Sequence, residues 1–314
     1  MYGNFEFSPP LSAAAAAFEI VADVVWDDLG DLRAFGGNGL FNAWWLGWAG
    51  ATPGGYMGPQ ATGAGDSAVE QVLFSLWDHN RFGEVDWFPA LPFGDELTVN
   101  GVGDHNECKA FAKANPGVPC CARNCQDCGA ANNGPSGLDD RSTGTQCKVY
   151  IPAYTGQRTR MRIERVLLDQ TTEAYGQVWT GDVWSVTIED LGTGEEWLVG
   201  TQLLANSSGK GIERIAAFYE HIGCTPCDAF DGVATRAGPW VLNPPGVKLM
   251  RATSQYGNTR TDGFTCHRHN ISSSKPGEFT YRSGPSVEEV GGDGSWNIVL
   301  YECPEDGCPV APAL

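Results

Sequence analysis

The stretch FEIVADVVW, Phe18 to Trp26, limits the fold more than any other feature. Phe18, Ile20, Ala22, Val24 and Trp26 fall on one side of an extended chain, and Glu19 and Asp23 on the other. A period of two is the signature of a strand with one buried face, because successive side chains point in opposite directions. LFNAWWLGW (Leu40–Trp48) and QVLFSLWD (Gln71–Asp78) are apolar at both parities, as expected of strands inside a layered sheet. RMRIERVLLD (Arg160–Asp169), DVWSVTIED (Asp182–Asp190) and EEWLVGTQLL (Glu195–Leu204) follow, and ED-LGTG-EEW reads as a hairpin turn. Further strands are predicted at Val247–Ala252, Glu278–Arg282 and Trp296–Glu302. Gly211–Gly223 fits a helix through Ile212, Ile215, Ala216, Tyr219 and Ile222, but its aromatic content and strand neighbours favour β. Glu107–Gly117 predicts one short helix, ended by Pro116.

These patterns predict an all-β protein, an antiparallel β-sandwich of jelly-roll or lectin-like type. Its 314 residues and 42% hydrophobic content suffice for a substantial core. Residues 18–314 read as a single domain and residues 1–17 as an N-terminal arm. Residues 101–147 interrupt the alternation with a Cys-, Asn- and Gly-rich stretch, read as a loop insertion stapled by disulfides.

Cysteine use sets the expected compartment. There are eleven cysteines: Cys108, Cys120, Cys121, Cys125, Cys128, Cys147, Cys224, Cys227, Cys266, Cys303 and Cys308. With the sequons at Asn206 and Asn270, they predict a secreted, extracellular, disulfide-bonded glycoprotein. The odd count leaves one thiol unpaired, interchain or bound to something else. The N-terminus lacks a basic n-region, so a secreted form is expected to have lost its signal before residue 1. A bridge contributes about 2–4 kcal/mol, which a loop without its own core requires. The adjacent Cys120 and Cys121 are expected to choose different partners. Cys121, Cys125 and Cys128 share the C-x3-C-x2-C spacing of an iron–sulfur site found on α/β barrels, but no βαβ alternation exists here. A disulfide knot is the plainer reading, and a structural zinc site the alternative. Cys224 and Cys227 have redox C-x-x-C spacing without the helix that activates such thiols.

The balance of 20 Lys+Arg against 38 Asp+Glu gives −18, which repels nucleic acid and anionic membrane. Neither is expected as a partner, and no segment reaches the roughly 18 apolar residues of a membrane helix. Catalytic signals are weak. Glu84 and Asp86 in EVDWFP would share a strand face, but Pro89 stands where a third acid would complete a glycosidase-like motif. His267 and His269 are the metal candidates. The acidic loops around Asp27, Asp28 and Asp31, and at Asp139 and Asp140, would suit calcium, and no other cofactor is expected. There is no nucleophile elbow, phosphate loop or metalloprotease helix.

Trp44 and Trp48 share one face and Trp45 takes the other. An open tryptophan would offer a platform to a sugar ring. FNAWWLGWAGATPGGYMGPQ followed by VLFSLWD resembles the domain-of-unknown-function family 3472, through Gly55, Tyr56, Met57, Gly58 and Gln60, then Phe74, Ser75, Trp77 and Asp78. VWSVTIEDLGTGEEWLVGTQLL and AAFYEH look like its second half, so the resemblance spans Phe18 to Gly223. It implies a lectin-like extracellular β-sandwich and no established reaction. Gly55 and Gly58 are expected to provide tight backbone geometry, and Asp78 to cap a turn.

The leading expectation is a non-catalytic secreted module that binds carbohydrate or builds extracellular matrix, using Tyr56, Gln60, Trp44, Trp48 and Asp78. An alternative is a homo-oligomer or filament subunit that adds its N-terminal strand to a neighbour's open edge. The third is a polysaccharide-cleaving enzyme using Glu84 and Asp86.

Overall fold

The structure, a computed structural model, describes residues 2–11, 17–28, 39–64, 67–80, 84–94, 105–125, 143–222, 232–256, 269–275, 277–283 and 296–302. Its strands are β1 (Tyr2–Ser8), β2 (Glu19–Asp28), β3 (Gly39–Trp48), β4 (Gly54–Ala64), β5 (Ser67–Trp77), β6 (Ala90–Pro92), β7 (Cys120–Cys125), β8 (Thr143–Pro152) and β9 (Arg158–Ala174). The chain continues through β10 (Gln177–Asp190), β11 (Glu195–Ala205), β12 (Ile212–Ile222), β13 (Gly232–Asn243), β14 (Lys248–Tyr256), β15 (His269–Lys275), β16 (Glu278–Ser283) and β17 (Trp296–Glu302). The helix α1 spans His105–Ala114.

The strands form two antiparallel sheets. Sheet A runs β17-β14-β1-β12-β3-β4-β5-β8-β7 and sheet B runs β15-β16-β13-β2-β9-β10-β11-β6. One apolar core lies between them. Trp44, Leu46, Phe74 and Val149 point into it from sheet A, and Ile20, Ala22, Met161, Ile163, Trp184 and Val186 from sheet B. The all-β sandwich expected from the alternation is therefore what forms. Ile212–Ile222 is a strand, as its aromatic content indicated, and the LGTG segment is the β10–β11 hairpin turn. Asp190 fastens that turn by accepting from the backbone N–H of Gly192 at 2.8 Å and of Thr193 at 3.2 Å.

Two segments differ from expectation. Tyr2–Ser8, read as part of an arm, is an inner strand of sheet A, paired with β12 on one side and β14 on the other. Its alternation is short, and only its distant partners define it as a strand. The Cys-rich insertion also contributes to the sheet, because β7 pairs with β8 and forms an edge. Disulfides Cys108–Cys120 and Cys121–Cys147 tie α1 to β7 and β7 to β8. The neighbouring cysteines therefore do take different partners, and they point to opposite faces. Cys120 lies with Cys108, Ala112 and Tyr150 under the helix, whereas Cys121 lies in the inter-sheet core.

The inward disulfide explains Gly200 on β11. A Cβ there would stand 2.2 Å from Cys147 Cβ and 2.4 Å from its sulfur. Gly200→Ala is expected to destabilise the fold by about 2–3 kcal/mol through overpacking, read as a lower urea midpoint with an unchanged slope. Next to it, Gln202 Nε2 donates across the core to the Phe74 carbonyl at 2.9 Å, linking the two sheets.

Candidate functional site

The parity of FNAWWLGW decides which aromatic rings meet the outside. Trp44 and Trp48 point inward and are 0% and 5% exposed, so both expected ligand contacts are instead core residues. Trp48 packs edge-on to Trp184 at 5.2 Å, and Trp44 lies 5.4 Å from Phe5. Trp45, one residue over, faces outward and is half-buried, opposite Tyr56 on β4.

Tyr56 is the centre of an aromatic cluster on this outer face of sheet A. Its ring meets Phe41 at 5.4 Å, Trp77 at 5.3 Å and Phe218 at 5.8 Å, all near perpendicular. Phe41 and Phe218 meet at 5.3 Å. Small residues allow the rings to converge: Ala43 and Gly58 lie beneath them, and a Cβ on Gly58 would come 2.3 Å from the Asn42 carbonyl oxygen. Gly55 is similarly confined, since a Cβ there would come 2.1 Å from the Ser75 carbonyl oxygen. The two motif glycines thus have the tight backbone surroundings expected of them. Phe41 is buried, while Trp45, Tyr56, Trp77 and Phe218 each keep part of the ring open. The Arg214 guanidinium sits 5.5 Å from the Trp45 centroid. Gln60, half-buried and paired in register with Phe41 and Gln71, extends the same face with an amide. Rings held on paired strands lose little conformational entropy on contact with a ligand.

Asp78 is not part of that surface. Its carboxylate is wholly buried and accepts from Arg123 Nη1 at 2.8 Å and Nη2 at 2.6 Å. Trp87 Nε1 donates to it at 2.9 Å and the Ala90 N–H at 3.1 Å. Arg123 also donates to the Ala90 carbonyl at 2.6 Å and lies 5.7 Å from the Tyr175 ring centroid. Burial alone would lower the Arg123 pKa, but the charge and hydrogen bonds of Asp78 outweigh it and hold the group above its ordinary value. Asp78 thus fastens strand ends together, a larger role than the turn cap expected of it. Arg123, Trp87 and Tyr175 carried no local signal of this partnership.

The remaining candidates are dispersed. Glu84 and Asp86 are exposed and lie in a turn rather than on a strand. Pro89, which lacks a ladder donor, follows them, and the Trp87 N–H donates back to the Glu84 carbonyl at 3.2 Å. Asp27 accepts from Thr235 Oγ1 at 2.6 Å, and Asp28 ends β2. Among the described residues no group of three His, Cys, Asp or Glu is placed to hold a metal ion. His269 and Asn270 open β15. Asn206 occupies a turn with φ of 63°, and its amide nitrogen donates to the Ala51 carbonyl at 2.7 Å. Cys125 ends β7. His267, Asp31, Asp139, Asp140, Cys128, Cys224, Cys227, Cys266, Cys303 and Cys308 lie outside the described residues. No described helix is long and apolar enough to cross a membrane. No protein-family model matches the chain, and no curated protein matches it.

Proposed function

We propose that this protein is a secreted, non-catalytic module that binds neutral carbohydrate on the outer face of sheet A. The supporting observation is the row of partly open rings, Trp45, Tyr56, Trp77 and Phe218, on four strands of one sheet, with the Gln60 amide beside them. Flat apolar rings take up the apolar faces of sugar rings, and an amide both donates to and accepts from their hydroxyls. A net charge of −18 disfavours anionic polysaccharides at long range. Disulfides at Cys108–Cys120 and Cys121–Cys147 favour an oxidising compartment. Membership of family 3472 is part of the same proposal and rests on the motif residues alone.

A glycan array spanning neutral and acidic polysaccharides, followed by affinity electrophoresis, tests this reading. The unaltered chain is expected to be retarded by at least one neutral polysaccharide. Tyr56→Ala and Trp45→Ala are each expected to weaken that binding about tenfold, or ~1.4 kcal/mol, without changing the far-UV spectrum. Silence across the array, or binding unchanged in both variants, removes the proposal.

A further inference from the structure

We propose that β1 is exchangeable between copies of this chain, so that the slot between β12 and β14 accepts Tyr2–Ser8 of a second copy. The sequence suggested that such a strand would join an open sheet edge. The topology points instead to an internal slot.

Among the described residues, β14 and β17 pair with the rest of sheet A only through β1, because the order is β17-β14-β1-β12. Neither partner of β1 is near it in sequence, so no hairpin turn holds it in place. Residues 9–18 connect it to β2 in the opposite sheet. Six residues, 12–17, lie between buried Leu11 and buried Phe18 and reach about 20 Å when extended, against a sheet separation of roughly 10 Å. The tether is therefore longer than a direct crossing between the sheets requires.

The two seams are unequal. β1 pairs with β14 from Tyr2 to Ser8, but with β12 only at Tyr2↔Phe218, Gly3↔Ala217 and Asn4↔Ala216. Opening the β12 side breaks few backbone bonds. The slot nevertheless has to be filled. Phe5 is buried in it, 5.4 Å from Trp44 and 6.3 Å from Phe279, with the Arg236 guanidinium 5.2 and 5.9 Å from those two rings. Phe7 packs at the margin of the same core, and Leu11 is buried in it beyond the strand. Outside, Glu6 lies 3.9 Å from Arg251. An empty slot would leave two unpaired strand edges above an apolar floor, which is the arrangement that recruits another strand. A second copy presents the same Phe5, Glu6 and Phe7 pattern and refills it in register. Reciprocal exchange gives a dimer, and exchange in one direction gives an open chain of copies.

Two single variants decide the question. Asn4→Cys and Ala216→Cys are partners in register, and both lie on the outer face. The two proteins, one carrying a mass tag, are mixed at high concentration after brief mild denaturation, oxidised and run on a non-reducing denaturing gel. Exchange predicts a heterodimer band several-fold stronger than either variant gives alone, since each alone measures the background from native thiols. In the double variant, at high dilution, the bridge is expected to close within the chain, which shows that the two positions meet. A heterodimer band no stronger than background overturns the proposal. The unaltered chain, taken through the same treatment, decides independently by sedimentation: dimers or longer chains support exchange, and monomer at every concentration overturns it. Carbohydrate binding is read on monomer, so failure of either idea leaves the other standing.

Discussion

Replacing Arg123 with Met is expected to cost about 3–5 kcal/mol of stability, because it abandons a carboxylate that has no access to water. Asp78 is 0% exposed at its side chain and receives four hydrogen bonds, two of them from Arg123. Those bonds join the end of β5 to edge strand β7 of the same sheet and, through Ala90, to β6 of the opposite sheet. Asp78→Asn removes the charge but keeps the shape, and leaves the guanidinium facing an amide, so its cost should be smaller. The double variant Asp78→Asn/Arg123→Met should lose less than the sum of the two single variants. Urea unfolding of all four proteins measures the coupling directly. A coupling below about 1 kcal/mol would class the pair with solvent-exposed ion pairs and contradict its burial. Arg165–Asp182 provides an internal comparison, since its N–O distance is also 2.6 Å and both side chains are sealed from solvent.

Sequence patterns revealed the strands but seldom their neighbours. Phe18, Ile20 and Ala22 could be oriented from sequence by their alternation, but Asp23 on the opposite face is buried too, against Arg158 and Arg160, which the alternation did not signal. Trp44, Trp45 and Trp48 could be divided by parity, yet LFNAWWLGW is apolar on both faces, so parity alone did not say which rings were core. The answer depended on Trp184 and Phe5, contributed by other strands. NFEF in β1 is too short to define a strand without β14, more than two hundred residues away. Arg123 sits in CCARNC, a stretch whose cysteines mask its alternation, and its partner lies 45 positions earlier. Nothing in sequence spacing signals a contact of that kind. Tyr56 and Gln60, singled out by the family-like motif, do share an outer face. Asp78, from the same motif, belongs to the ionic framework.

The other large effect is expected at Lys148, where stability should change with pH. Lys148 is 1% exposed on β8, in register with Leu73 on one side and Cys120 on the other. Burial, and secondarily the charge of Lys109, push its ammonium down from 10.5 to about 7. The folded pKa lies below the unfolded one, so between about pH 7 and 10.5 the unfolded chain holds a proton that the folded chain does not. Stability then rises with pH across that window, and at or below pH 7 the full cost of burying the amine is present. Relative to Lys148→Met, which has similar volume and no charge, the unaltered chain should gain on the order of 4 kcal/mol between pH 7 and 10.5. Urea midpoints of both proteins at pH 6.5, 8 and 9.5 give the comparison, and their difference cancels groups that titrate alike in both. A difference that shifts in favour of the unaltered chain as pH rises confirms a buried amine that loses its charge on folding, while parallel curves would mean that Lys148 stays protonated in the fold. Lys109→Gln separates the two causes. It removes only the smaller one, so it should narrow the window from its lower end and leave most of the pH dependence in place.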